Sequence, residues 1–141
     1  MANFKKSWMA DVGINHVPAY QASGRPFATG SLDCANDGGS GHAVYFPYVT
    51  RWVQIINNDT ANVVKVGFSK RGLDSEKNYF TVGEAAAANQ PSVSERLELK
   101  VSELHITGST NIDIVAGLTT IPSERTTTES GPNWSGSAGV G

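Results

Sequence analysis

Three histidines, thirteen acidic residues and a single cysteine are the side chains here with the chemistry for catalysis or metal binding. His16, His42 and His105 stand far apart, and none has a cysteine or carboxylate at the spacing a zinc site uses. His105 is expected to point outward from a strand beside Glu103 and Thr107, as an ordinary surface histidine. Asp33 and Asp37 flank a glycine-rich loop. Calcium takes six or more oxygen ligands, and the regular Asp-x-Asp-x-Asp-Gly spacing is missing, so these aspartates read as loop caps. Glycoside hydrolysis needs a convergent carboxylate pair, whereas the acids here are scattered over turn and outward positions and read as solvated surface. No Gly-x-Ser-x-Gly elbow, phosphate-binding loop or Gly-x-Gly-x-x-Gly fingerprint occurs. Cys34 alone cannot form an intrachain disulfide and is expected to be an inert, half-buried thiol. The expectation is a protein that is not an enzyme, with no catalytic residues, no metal and no cofactor.

Charge narrows the partners. Charged residues make up 17% of the chain and the formal net charge is -2, a poor match to binding nucleic acid through its phosphates. Lys65, Lys70, Arg71 and Lys77 gather around one loop; solubility is the favoured reading, with a local positive patch for an acidic partner surface or a phosphate as the alternative. No apolar run approaches the roughly 20 residues that cross a bilayer, and none of signal-peptide type follows Lys5-Lys6. A membrane partner is not expected; synthesis in a cytosol is. Asn58-Asp-Thr60 and Asn133-Trp-Ser135 match the glycosylation sequon and are taken as chance turn sequences.

The elements that would position any site are strands. In Arg96-Leu-Glu-Leu-Lys-Val101 every second residue is apolar and those between are charged, the pattern of a strand with one dry face. The same logic predicts strands over Phe27–Leu32, His42–Phe46, Val49–Ile56, Val64–Phe68, Asn78–Val82, Leu104–Ile106 and Ile112–Leu118. The apolar phase slips by one residue near Ser102-Glu103, as at a bulge or a strand-to-strand corner. Ser69 to Lys77 reads as a polar loop. Gly83 to Ser94 reads as a longer connection in which Glu84–Ala88 has the composition for one helical turn. Eight short strands at about ten-residue spacing predict an all-β, antiparallel β-sandwich, and eight is the count of a single jelly roll. An immunoglobulin-type sandwich fits the spacing almost as well, but its Cys…Trp…Cys framework is absent. Residues 1–26 read as an extended N-terminal arm, 27–122 as the sandwich, and 123–141 as a flexible Ser/Thr/Gly-rich C-terminal tail with Trp134 as its one large apolar residue.

Aromatic residues are the remaining candidates for function. Tyr45, Phe46, Tyr48 and Trp52 lie within eight positions. Neighbours on a strand face opposite ways, so some of these rings point away from the core, toward either a subunit contact or a sugar ring. Both faces of Val49–Ile56 carry bulk, as in a strand covered on both sides or placed at an interface.

Val17-Pro-Ala-Tyr-Gln-Ala-Ser-Gly-Arg-Pro-Phe27, Val64-Lys-Val-Gly-Phe-Ser69, Ile114-Val-Ala-Gly-Leu-Thr119 and Asn133-Trp-Ser-Gly136 resemble segments of small single jelly-roll structural proteins of large double-stranded DNA viruses and phages. Those proteins fill the five-fold vertices of the shell or decorate it. The resemblance implies a virion protein whose function is assembly: a penton subunit forming a symmetric homo-oligomeric ring, with a pentamer favoured over a trimer, in contact with the major capsid protein or other shell proteins. A capsid decoration or cement protein and a glycan-binding host-recognition module are the alternatives. The candidate subunit or shell contacts are Trp8, Tyr20, Arg25, Phe27, Tyr48, Trp52 and Trp134.

Overall fold

A computed structural model of the chain describes residues 24–35, 42–74, 78–129 and 131–134. Most of the expected arm, with Trp8 and Tyr20, lies outside the described residues, as do Asp37, Lys77 and residues 135–141 of the tail.

The strands run β1 (Arg25–Leu32), β2 (His42–Tyr45), β3 (Tyr48–Asn57), β4 (Val64–Gly67), β5 (Tyr79–Val82), β6 (Ser92–Val93), β7 (Glu103–Thr107) and β8 (Ile112–Pro122). A small hairpin follows, β9 (Thr127–Thr128) and β10 (Gly131–Pro132), and one short helix, α1 (Lys70–Asp74), links β4 to β5. Two four-stranded antiparallel sheets form the body. The first has the order β1-β8-β3-β6, the second β2-β7-β4-β5. The pairings are nested: β1 with β8, β2 with β7, β3 with β6 and β4 with β5. Ladders between β3 and β8 and between β4 and β7 knit the nested pairs into sheets. The chain is thus an all-β antiparallel sandwich of two packed sheets.

Strand alternation explains which residues fill the space between them. In β8, Ile112, Ile114, Ala116 and Leu118 are at most 3% exposed, while Asp113 and Val115 between them are half-buried on the other face. Val53 and Ile55 of β3, Val64 and Val66 of β4, and Leu104 and Ile106 of β7 complete the same fully buried cluster. Cys34 joins that core at 1% exposure, a deeper position than the half-buried one expected of it.

The segment with the cleanest alternation is not a regular strand. Arg96 to Val101 does alternate in burial, but only Leu97 makes a β-bridge, to Val53. The segment runs extended beside β3 and bonds to it irregularly. Leu97 and Val53 exchange two backbone bonds of 2.8 and 2.9 Å, the Thr50 hydroxyl donates to Leu99 O at 2.6 Å, and Thr50 N donates to Val101 O at 2.9 Å. The cause lies in the partner, because β3 shifts register between Tyr48 and Thr50 and again between Thr50 and Trp52. The regular pairing on that edge is β6, two residues inside the stretch expected to be a connection. The phase slip at Ser102 is the point where the chain leaves β3 in the first sheet and enters β7 in the second. The helical turn falls at Lys70–Asp74 rather than at Glu84–Ala88. Ser69 caps it, its Oγ accepting the Gly72 N–H at 2.9 Å.

One polar knot ties the turns at one end of the sandwich. Asn57 is fully buried and satisfied: its Nδ2 donates to Asn62 O and Gly83 O, both at 2.9 Å, and its Oδ1 accepts from Asp59 N and the Ser109 hydroxyl. Asp59 Oδ1 accepts the backbone N–H groups of Ala61 and Asn62, and its Oδ2 accepts the Thr110 N–H at 2.9 Å and hydroxyl at 2.7 Å. The β3–β4 turn is thereby fastened to the β7–β8 turn, fifty residues on. Gly108 sits at the closest approach, with φ +105°, and a Cβ there would lie 2.8 Å from Val63 O. The donors, led by the Thr110 and Ala61 backbone N–H groups, hold the Asp59 carboxyl well below the usual carboxylate range, against the opposing effect of burial.

A folded-state pKa depressed below the unfolded one adds stability above the unfolded value near 3.9 and loses it as pH falls through the folded value. Asp59→Asn is therefore expected to cost about 1–3 kcal/mol at neutral pH. It should also flatten the loss of stability on acidification below about pH 4. Urea denaturation of both proteins at neutral and acid pH measures both effects; a mutant with wild-type acid sensitivity would contradict the assignment.

Candidate functional site

With the core assigned, the side chains on the two outer faces are the next candidates for contacts. Register places them. On the first sheet, Val115 lies opposite Ala28 of β1 and Gln54 of β3, and Gly117 lies opposite Pro26 and Trp52. Ile56 faces Asp113 on one side and Val93 on the other. This outer face is mainly apolar: Trp52, Ile56 and Val115 are half-buried and Val93 is 49% exposed. Because β1 contributes only Pro26, Ala28 and Gly30, a shallow open groove of about 340 Å³ forms between that strand and Ile56, floored by Val115 and closed at one end by Asp113. The Asp113 carboxylate is held by Asn58 Nδ2 at 2.8 Å and by the Ser31 N–H at 2.9 Å. A Cβ on Gly30 would come within 2.8 Å of it. Ser31 takes a left-handed φ of 56° where β1 slips register, which turns its N–H toward the carboxylate.

The outer face of the second sheet has a different character. Leu73 of α1 lies against Gly67, so the helix roofs part of that face. Glu103 and His105 of β7 are each 6% exposed, and His105 Nε2 lies 2.7 Å from Glu103 Oε2. His105 points away from Leu104 and Ile106, as its strand phase requires, but it is buried rather than a surface histidine. The Tyr45 ring stands edge-on to it at 6.3 Å and is itself 68% exposed. A carboxylate holding an imidazole is two parts of a nucleophilic triad. Among the described residues, no hydroxyl or thiol is hydrogen-bonded to that imidazole. Nor does any group of three His, Cys, Asp or Glu among them assemble as a metal site. Strand phase placed Glu103 and His105 side by side, from their i, i+2 spacing, but did not reveal that both are buried.

The seven contact candidates divide among these surroundings. Phe27 packs edge-on against Phe46 at 4.9 Å and, like Tyr48, lies against the core. Arg25 stacks over the Tyr48 ring at 4.4 Å, taking up that face. Trp134 also packs on the core, and its Nε1 donates to Phe68 O at 3.0 Å. The described part of the tail therefore does not hang free. Thr126 Oγ1 bonds to Ser102 Oγ at 2.7 Å, and the β9–β10 hairpin carries the chain back to Trp134. Trp52 alone of the five described candidates presents its ring on the apolar outer face. Trp8 and Tyr20 lie outside the described residues.

Removing one partner of the Glu103–His105 pair leaves a buried polar group without its bond. Glu103→Ala is expected to destabilise the fold by about 2 kcal/mol. Replacing both by leucine should recover part of that loss, since an apolar pair has no desolvation cost. Thermal or urea unfolding of the single and double mutants tests this; equal losses in both would show that packing, not the bond, sets the cost.

No family model, no curated protein and no solved structure matches this chain.

Proposed function

We propose that this chain is a structural subunit of an icosahedral viral capsid, a vertex protein assembling as a symmetric ring, with five copies as the favoured number. One observation carries the reading: the nested strand pairing. An eight-stranded antiparallel hairpin rolled upon itself brings strand 1 to 8, 2 to 7, 3 to 6 and 4 to 5, in sheets of order 1-8-3-6 and 2-7-4-5, as found here. That order supports a single jelly roll, an architecture used by viral capsid proteins and also by lectins and cupins. The absence of a metal cluster among the described residues gives no reason to prefer a cupin-like reading.

The outer face of the first sheet adds a second reason. Trp52, Ile56, Val115 and Val93 gather on one side of the sandwich, where a neighbouring subunit would cover them. A ring repeats one such contact around a closed symmetry, so a modest interface gains avidity from repetition. The low net charge suits a protein that meets other shell proteins rather than the genome.

Native mass spectrometry of the purified protein should show one closed oligomer, with five chains as the main species. Trp52→Glu should release monomers that keep a β-sheet far-ultraviolet spectrum. A reconstruction of particles from an infected host should place the sandwich at the five-fold axis. A protein that stays monomeric at high concentration and is missing from particles would overturn the proposal.

A further inference from the structure

The groove on the first sheet ends at a carboxylate with bonding capacity left over. An ionised aspartate offers about four lone-pair sites. On Asp113, Asn58 Nδ2 takes one at Oδ2 and the Ser31 N–H takes one at Oδ1, so each oxygen keeps an acceptor site. Two such sites side by side suit the fork of a guanidinium better than the point charge of an ammonium. Gly30 keeps the approach from β1 clear, since a Cβ there would stand 2.8 Å from Oδ1. Val115 lies two residues from Asp113 on the same strand face, about 7 Å away, and with Ala28 and Ile56 it gives the groove apolar walls. Apolar walls that lead to a carboxylate match an arginine side chain, with its apolar stem and charged head.

Arg71 of α1 is exposed, and its guanidinium makes no hydrogen bond or ion pair among the described residues. Its neighbours Lys70 and Asp74 are taken up with each other at 2.6 Å. The other described arginines are engaged or badly placed. Arg25 stacks on Tyr48, Arg96 pairs with Glu98 at 3.1 Å, Arg125 is engaged within the chain, and Arg51 is half-buried in β3 of the groove's own sheet. Position decides whose groove Arg71 enters. α1 packs at Gly67, over the outer face of the second sheet, whereas the groove opens on the outer face of the first. Two stacked sheets and the core between them separate the two, about 10 Å from sheet to sheet, so Arg71 cannot enter the groove of its own chain. We infer that α1 of one copy docks on the first sheet of the next, with the Arg71 guanidinium on the Asp113 carboxylate and its stem along Ile56 and Val115. The contact uses a different patch on each partner. Such contacts repeat head to tail and close into a ring where the rotation allows.

This inference rests on the ring proposed above and names the two patches that form it. Arg71→Asp should weaken self-association of the full chain about tenfold or more in analytical ultracentrifugation, and Asp113→Arg should do the same. Both changes in one chain should restore most of the association. Asp113→Arg also breaks the bonds to Asn58 and Ser31, so if that variant does not fold, cysteine pairing decides the question. Arg71→Cys and Ala28→Cys proteins, mixed and oxidised with copper phenanthroline, should give a covalent dimer that neither gives alone; Cys34, at 1% exposure, does not compete. Carried on one chain, the two cysteines should give a ladder of linked chains that ends at the closed ring. A five-chain oligomer that tolerates Arg71→Asp and yields no mixed disulfide overturns the inference and leaves the ring, with the groove open to a different shell protein. An Ala28→Cys protein that links to itself shows two grooves meeting and overturns it as well. A wild-type chain that stays monomeric at high concentration removes the ring, and this contact with it.

Discussion

The β8 ladder is the constraint on which the rest of the structure depends. Between Ile112 and Leu118 it pairs with β1 on one side and β3 on the other, so the backbone of this central strand has protein partners along both edges there. Its alternate residues Ile112, Ile114, Ala116 and Leu118 supply the floor of the core. Everything on its other face follows from that commitment. Asp113, Val115 and Gly117 must point outward, beside Ile56, Gln54 and Trp52 of β3, whatever covers them. A central strand leaves no freedom to hide its second face by slipping, because a one-residue slip would send the core side chains into water. The apolar outer face is thus a fixed property of the fold.

The knot around Asn57 and Asp59 secures the far end of that ladder. β3 ends at Asn57, and the polar side chains there bond to the turns that enter β4 and β8 and to the backbone at Gly83. These are long-range connections, made by side chains that have few alternatives once buried. A loop end stitched in this way holds the two sheets at a set separation. The opposite end is closed differently, by Thr126 on Ser102 and by Trp134 under the chain at Phe68. One end is fastened by a buried polar network and the other by a hydroxyl pair and an aromatic side chain that packs on the core.

Most of the strand layout was legible because burial here is one-sided. Val64 and Val66, Leu104 and Ile106, and Ile112 through Leu118 alternate cleanly, and each is a strand. Arg96–Val101 shows the limit of that signal. Alternation reports an extended chain with one covered face, but a ladder also needs a partner in register, and β3 is bulged where this segment passes. β6 was invisible for the converse reason: two residues are too few to show a period, and its pairing is dictated by β3. His105 was assigned the correct side of its strand and the wrong environment. Strand phase cannot report that α1, on a segment read as loop, packs onto the same sheet. Among the contact candidates, Phe27, Tyr48 and Trp134 pack against the core, and the register of β3 against β8 places Trp52 on the outer face.

The two ends of the described chain meet different surroundings. The C-terminal segment has somewhere to go within its own chain. After β8 ends at Pro122, a 3-10 turn over Ser123–Arg125 and a hairpin return it to Ser102 and Phe68, so Trp134 becomes part of the fold. At the other end, Gly24 N donates to Leu118 O, so the first described residue is already held in the β8 ladder. Position in the fold, as much as residue type, thus recruits Trp134 to its own chain.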